Sequence, residues 1–541
     1  GKLKTENITD YGTIEYQYTE DGYLKKILYP DTVVENSYDN MGNIKTVKID
    51  GVQVSEYGYT EENWMDYYVD KTTGKDKRFD FTYDAVGHKT QIKYPNRTKM
   101  KYDFGTAYRL NSADGYLVKT DGSEELMSKS RITLRDNVGN IKGKEILTGA
   151  VEYGYDNLYQ LTNYKNPHAG NMEITYNYDY AGNRDSVLAS GEGAASFSYQ
   201  NTHNKIQSVS ENGVSITYDY DYKGNVIRKG SDVYYWDYKN RLVMAYIPGG
   251  NVSYKYNIND LKLERTSDNK TTRYYYNGSR LLCEKDTSGK LTKVYLQDDE
   301  GFLGMTRHVY DDSGNKKASQ NLYYLFDDLG SVTTITNDIG MPVQMYSYDP
   351  YGNITNATTD PVNNLAFVGR FGGYKDWDTG LINFWHRWYD SNDGRWTSRD
   401  SIGVRGGMNL YGYVLNSPSN WIDINGNELL GWPFVSGSKN PPHFSNGNWG
   451  GAEWQAGKMY SPNLNLRLDL KANLCPCEGS DCCYKQHDYC CNDVRFGHST
   501  GIKISDCDWA LVSCLVGGRY RDPYAIGAII IFSLMNVKNS F

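Results

Sequence analysis

The chain has 541 residues, with 58 Lys and Arg against 66 Asp and Glu, and a net charge of -8. That balance argues against a nucleic-acid-binding surface along the whole chain, and the length predicts several domains with a large buried core. Tyr (51) and Gly (54) are abundant while Pro (14) is scarce, which argues against disorder and predicts short strands joined by tight turns.

The chain opens GKLKTENITD, with no Met and no apolar core, so it reads as a fragment or a processed product rather than as a signal peptide. From there to residue 366 the sequence repeats itself. SYDNMGNIKTV from Ser37, TYDAVGHKTQI from Thr82, YNYDYAGNRDSV from Tyr176, YDYDYKGNVIRKG from Tyr218 and YSYDPYGNITNA from Tyr346 share one pattern. Alternating aromatics lead to an Asp, then a short Gly/Asn turn, then an alternating apolar stretch, and neighbouring units lie roughly twenty residues apart. A period of two predicts strands, so each unit is a β-hairpin whose Asp bonds the turn amides. Stacked Tyr side chains would order a long sheet built from such hairpins. The units resemble the YD repeats of RHS proteins. That resemblance implies a mainly β fold over residues 1–366, a hairpin sheet coiled into a hollow shell around a C-terminal effector. An extended surface stalk or adhesin is the alternative.

Residues 367–427 carry six short elements in order: DTGL, RWYD, GRWTS, an Asp-x-x-Gly from Asp400, NLYGYV, and a second Asp-x-x-Gly from Asp423. The set resembles the RHS-associated core. The resemblance implies a plug that cuts its own chain just after the second Asp-x-x-Gly by aspartyl-protease-like chemistry. Two neighbouring carboxylates share a proton, one acting as base toward water and the other as acid. Here those groups would be Asp400 and Asp423, with Arg399 beside the first and Asn427–Glu428 as the scissile bond. Ser401 and Ile424 stand where the family usually has Pro, and Asn427 stands where it usually has Leu. The alternative is that both Asp residues only order turns.

Residues 428–541 open with a linker and hold eight of the nine Cys, all between Cys475 and Cys514. Such a density predicts a disulfide framework in an oxidising compartment, or a metal cluster. Cys483, His487 and Cys490 fall on one helical face, and Cys507 and Cys514 fall on another. Two antiparallel helices would allow Cys483 to face Cys514 and Cys490 to face Cys507. That register brings Asp508 within about half a turn of the level of His487, the arrangement of a His–Asp dyad. Asp488 points about 100° away, free to hold a hard cation. The stretch GNWGGAEWQAGK from Gly447 offers backbone carbonyls and an amide for an oxyanion.

This segment resembles secreted phospholipase A2, whose hallmarks are matched by His487, Asp488 and Cys490 and by Cys507, Asp508, Ala510 and Cys514. The resemblance implies calcium-dependent hydrolysis of the sn-2 ester of glycerophospholipids. His487 would activate water and Asp508 would orient it. Asp488 with the carbonyls of Trp449, Gly451 and Glu453 would hold calcium, and the Gly451 amide would face the oxyanion. The implied disulfides are Cys483–Cys514 and Cys490–Cys507. Tyr484 and Gly450 replace both halves of one family disulfide, Cys491 replaces a family Tyr, and Glu453 stands where a Gly is expected. Cys475, Cys477, Cys482 and Cys491 allow three pairings. The apolar run Tyr524 to Met535 is too short to span a bilayer. The expected whole is a secreted or cell-surface toxin. Its partners would be a phospholipid membrane, an immunity protein and secretion-system components, with no nucleic acid. The rivals are a non-catalytic adhesin with a Cys-rich lipid- or protein-binding module, a zinc cluster, which adjacent Cys pairs disfavour, and a metal-dependent nuclease, which the net charge disfavours.

Overall fold

In the computed structural model the described residues are 2–105, 109–191, 193–200, 204–357, 363–403, 407–427, 429–431, 454–455 and 458–459. Side chains are described as far as Asn427. The chain divides into two units at Gly437/Ser438. Thirty-three strands run from Thr5–Ile8 to Ile354–Ala357 in one sheet, each paired antiparallel with the next along the chain. Short 3-10 turns, among them Gly369–Phe371 and Val414–Asn416, are the helical elements among the described residues, and the rest are strands and connections. The expected mainly β architecture is therefore present. The expected helical domain over 428–541 lies outside the described residues, save the backbone of strands Leu429–Gly431, Trp454–Gln455 and Lys458–Met459. No helix among the described residues is long and apolar enough to cross a membrane.

The hairpin following Met172–Tyr178 shows the repeat unit. Oδ1 of Asp179 accepts the amides of Ala181 (2.9 Å) and Asn183 (2.8 Å), and its Oδ2 accepts the Asn183 side chain (2.9 Å). Asp39, Asp136 and Asp349 make the same three bonds in their own turns. This is the Asx turn expected from the repeated Asp. Gly182 closes the turn with φ 69°, a left-handed conformation that favours glycine.

In several units the Tyr that ends the strand before the turn does something the period-two pattern does not reveal. Its hydroxyl donates to a main-chain carbonyl of the preceding hairpin. Tyr38 reaches Leu24 (2.6 Å), Tyr178 reaches Leu161 (2.7 Å), Tyr256 reaches Leu242 (2.7 Å) and Tyr348 reaches Val332 (2.7 Å). Each carbonyl belongs to the first residue of the strand immediately before the Tyr's own, so the Tyr ties the end of one turn-bearing hairpin to the start of the next.

Early strands pack against late ones. Tyr29 accepts the Tyr276 amide (3.0 Å) and Asn36 exchanges side-chain bonds with Asn277 (2.8 Å). Tyr94 donates to the Tyr324 carbonyl and Ser130 donates to Asp328. The largest apolar cluster joins Tyr68, Phe79 and Met100 to Tyr295, Tyr323 and Phe326. A buried ion network crosses the same contact, with Lys89 on Asp298 and Asp299 (2.8 Å each) and Arg370 on Asp298 (2.8 Å).

Candidate functional site

The segment from Asn363 to Asn427 leaves the long sheet. It forms a small four-stranded sheet (Tyr374–Lys375, Ile382–Phe384, Arg387–Asp390, Arg395–Trp396) and a strand pair (Trp421–Asp423 with Leu429–Gly431). It docks on the Asp-x-x-Gly turns. Arg395 reaches Asn183 (3.2 Å), Asn416 reaches Gly182 (2.7 Å), Tyr411 reaches Gly224 (2.7 Å) and Asn353 reaches Ser391 (3.0 Å). Phe384, Tyr389, Trp396 and Tyr413 form its buried aromatic centre.

Asp400 and Asp423 meet there on one guanidinium. Nη2 of Arg387 lies 2.8 Å from Asp400 Oδ2 and 3.4 Å from Asp423 Oδ2, and its Cζ lies over the ring of Trp396, 4.1 Å from the centroid. The two carboxylates are twenty-three positions apart in the chain, yet both touch the same nitrogen. Burial raises the Asp400 carboxyl above the usual carboxylate range, against the pull of Arg387. Burial likewise lowers Arg387, opposed by Asp423 and Asp400. One buried cation facing two carboxylates neutralises one of them, so a single proton on the pair balances the charge.

The loop after Asp423 is tied to the same centre. Oδ1 of Asp423 accepts the Gly426 amide (2.8 Å), Arg387 Nε donates to the Gly426 carbonyl, and the His386 amide donates to the Asn425 carbonyl (3.1 Å). Gly426 has φ 80°, and a Cβ there would meet the Phe384 carbonyl at 2.7 Å, so only glycine fits. Asn427 accepts a hydrogen bond from Ser401, next to Asp400, at 3.0 Å. The expected cut-site residue Asn427 is thus held by the neighbour of Asp400 and follows the Gly426 that Asp423 binds, inside a loop whose flanks pair as Asp423↔Leu429.

The guanidinium at this centre is not that of Arg399, the expected neighbour. Arg399 turns toward Tyr411 and Gly224. Strand alternation is the reason: it aims Arg387 inward from the RWYD strand, a signal that adjacency in sequence hides. Among the described residues no group of three or more His, Cys, Asp or Glu side chains could hold a metal. Glu428, His487, Asp488, Asp508, Trp449, Gly451, Glu453 and the cysteines Cys483, Cys490, Cys507 and Cys514 lie outside the described residues. Cys283, in the sheet, is buried and unpaired.

The tRNA3(Ser)-specific nuclease WapA of Bacillus spizizenii is 28% identical over 327 residues, 57% of this chain and 13% of that protein. Double-stranded DNA deaminase toxin A of Burkholderia cenocepacia is 30% identical over 169 residues, 28% of this chain and 11% of that protein. Human Teneurin-1 is 22% identical over 453 residues, 73% of this chain and 16% of that protein. The chain thus spans a small part of each relative's length. Among solved structures, TcdB2-TccC3-TEV matches with a TM-score of 0.66 and 17% identity, over 79% of this chain and 24% of that one. At that identity the likeness is one of fold. The Teneurin YD-shell family model matches residues 123–412, more than half of the chain and through Asp400. The chain belongs to the Teneurin YD-shell family.

Proposed function

We propose that this chain carries a self-cleaving core segment and a C-terminal toxic enzyme. The convergence of Asp400 and Asp423 on Arg387, beside an anchored Asn427, carries the first half. One carboxylate takes a proton from water as the other gives one to the leaving amide, and Arg387 holds the pair at a single net negative charge. Water adds to the Asn427 carbonyl, and the Asn427–Glu428 bond breaks to leave a carboxylate and the amine of Glu428. In the purified full chain, N-terminal sequencing should find a fragment beginning at Glu428. Asp400→Asn and Asp423→Asn should each abolish it, and an uncut wild-type chain contradicts the reading.

The enzyme is a phospholipase A2 in residues 428–541. The joint presence of His487–Asp488 and Cys507–Asp508 at matching Cys spacing supports it. Asp488 and the carbonyls of Trp449, Gly451 and Glu453 are all oxygen donors, the set a calcium ion takes. Calcium would supply positive charge to the developing oxyanion. His487 takes the proton of the attacking water, Asp508 holds the imidazole, and the Gly451 amide donates to the oxyanion. The protein acts on phospholipid membranes after secretion or from the cell surface, with an immunity protein and secretion components as partners. The names of two relatives, a tRNA nuclease and a DNA deaminase, favour a second reading in which the substrate is nucleic acid. Fatty-acid release from vesicles supports the lipase, and cleavage or deamination of nucleic acid in its place supports the second.

A further inference from the structure

Behind Arg387, on the opposite face of its strand, Trp388 closes a box of aromatic rings around one amine. Lys262 opens the strand Lys262–Ser267 and is 3% exposed. Its Nζ has no hydrogen-bond partner. Four ring centroids surround that nitrogen: Tyr374 at 4.0 Å, Tyr274 at 4.7 Å, Trp388 at 5.5 Å and Tyr254 at 5.9 Å. Tyr254 and Tyr274 belong to the long sheet, while Tyr374 and Trp388 belong to the core segment.

The rings brace one another. Tyr254 lies against Trp388 (4.9 Å), Tyr274 meets Tyr374 edge-on (5.8 Å), and Trp388 Nε1 donates to the Tyr256 hydroxyl (3.2 Å). The charges facing Lys262 are Asp376, Arg265, Glu284 and Lys293. Both carboxylates are already engaged. Asp376 is held by Arg265 (2.7 Å) and the Tyr254 hydroxyl (2.7 Å), and Glu284 by Lys293 (3.2 Å), Tyr295 (2.5 Å) and Tyr374 (3.0 Å). What remains for the ammonium is the ring faces, which attract a desolvated cation through their quadrupoles. Burial works the other way and pulls the amine down to about 7.

We infer that Lys262 is a positioning residue for the Asp400–Asp423 pair, its ammonium pinning Trp388 and Tyr374 to the sheet and so fixing where Arg387 presents its guanidinium. The inference rests on the self-cleavage reading. Trp388 and Arg387 are consecutive in one short strand, so a shift of the indole moves the guanidinium on the other face. Misplacement by about 1 Å is enough to slow a reaction by about a hundredfold.

The test follows cleavage between Asn427 and Glu428 in the full chain across pH 6 to 10 (roughly the span of amine titration). Lys262→Met keeps the stem and removes the charge, and should slow cleavage by about tenfold or more. Tyr374→Leu keeps the amine and removes the nearest ring, and should slow it in the same way. The wild-type rate should fall as the amine loses its proton. Lys262→Arg, charged throughout, should keep its rate there. A wild-type rate in Lys262→Met or Tyr374→Leu overturns the inference, as does an alkaline fall that Lys262→Arg leaves unchanged. Asp400→Asn and Asp423→Asn run beside them. If these abolish cleavage while Lys262→Met does not, the self-cleavage reading stands and this inference alone falls. Cleavage that persists in both Asp variants overturns the two together.

Discussion

At the scale of single residues the Tyr-Asp pair divides its labour. The Asp closes its own turn, and the Tyr hydroxyl satisfies a carbonyl of the hairpin before it. Tyr348→Phe leaves the Val332 carbonyl without that bond. It should lower stability by about 1 kcal/mol, read as a drop in the urea midpoint. The turn role of Asp was legible in the sequence because its bonds are local. The hydroxyl bridge was not, because its acceptor is backbone some fourteen residues away. His308 gives a pH signature. Burial, with Lys316 nearby, lowers its imidazole from 6.5 to about 4, and Nδ1 pairs with the Ser319 hydroxyl at 2.8 Å. The unfolded chain therefore binds more protons than the folded one between those values. Stability from this site is full above about pH 6.5 and lost as pH falls toward 4. His308→Gln should flatten that part of the melting-temperature profile.

At the scale of elements the hairpin carries the fold, and its turns carry the core segment. Asp179→Ala removes three bonds and frees Asn183, which accepts Arg395 and Asn409 from that segment. The variant should melt lower by about 1–2 kcal/mol of stability. It should also expose residues 367–427 to protease, which a wild-type digestion pattern would refute. Hairpin strands were readable because period two and Gly/Asn turns are local signals. The four-stranded sheet of the core segment was not, since its strands are two to four residues long. For the same reason the two carboxylates were found and Arg387 was missed. Asp-x-x-Gly is a visible motif, whereas the inward face of RWYD emerges only from packing.

At the scale of the molecule the long-range contacts are polar as well as aromatic. Asp298 holds Lys89 and Arg370, and both cations together hold its carboxyl far below the usual range. Asp298→Ala leaves two buried cations with weaker partners, and should cost about 3–5 kcal/mol in thermal or urea unfolding. An unchanged midpoint would show the network to be dispensable. The Lys89–Asp298 pairing joins residues 209 positions apart and the Arg370–Asp298 pairing residues 72 apart, both beyond the reach of periodicity or turn chemistry. The central claim is that the family's sheet accompanies a lipid-hydrolysing toxin. Its most direct test is fatty-acid release from phospholipid vesicles by the full chain under oxidising conditions. Wild type would be run with calcium and with a chelator, beside His487→Ala. Release that needs both calcium and His487 is the predicted result. No release from the cleaved, disulfide-bonded wild-type chain, or release that survives His487→Ala, would contradict the account.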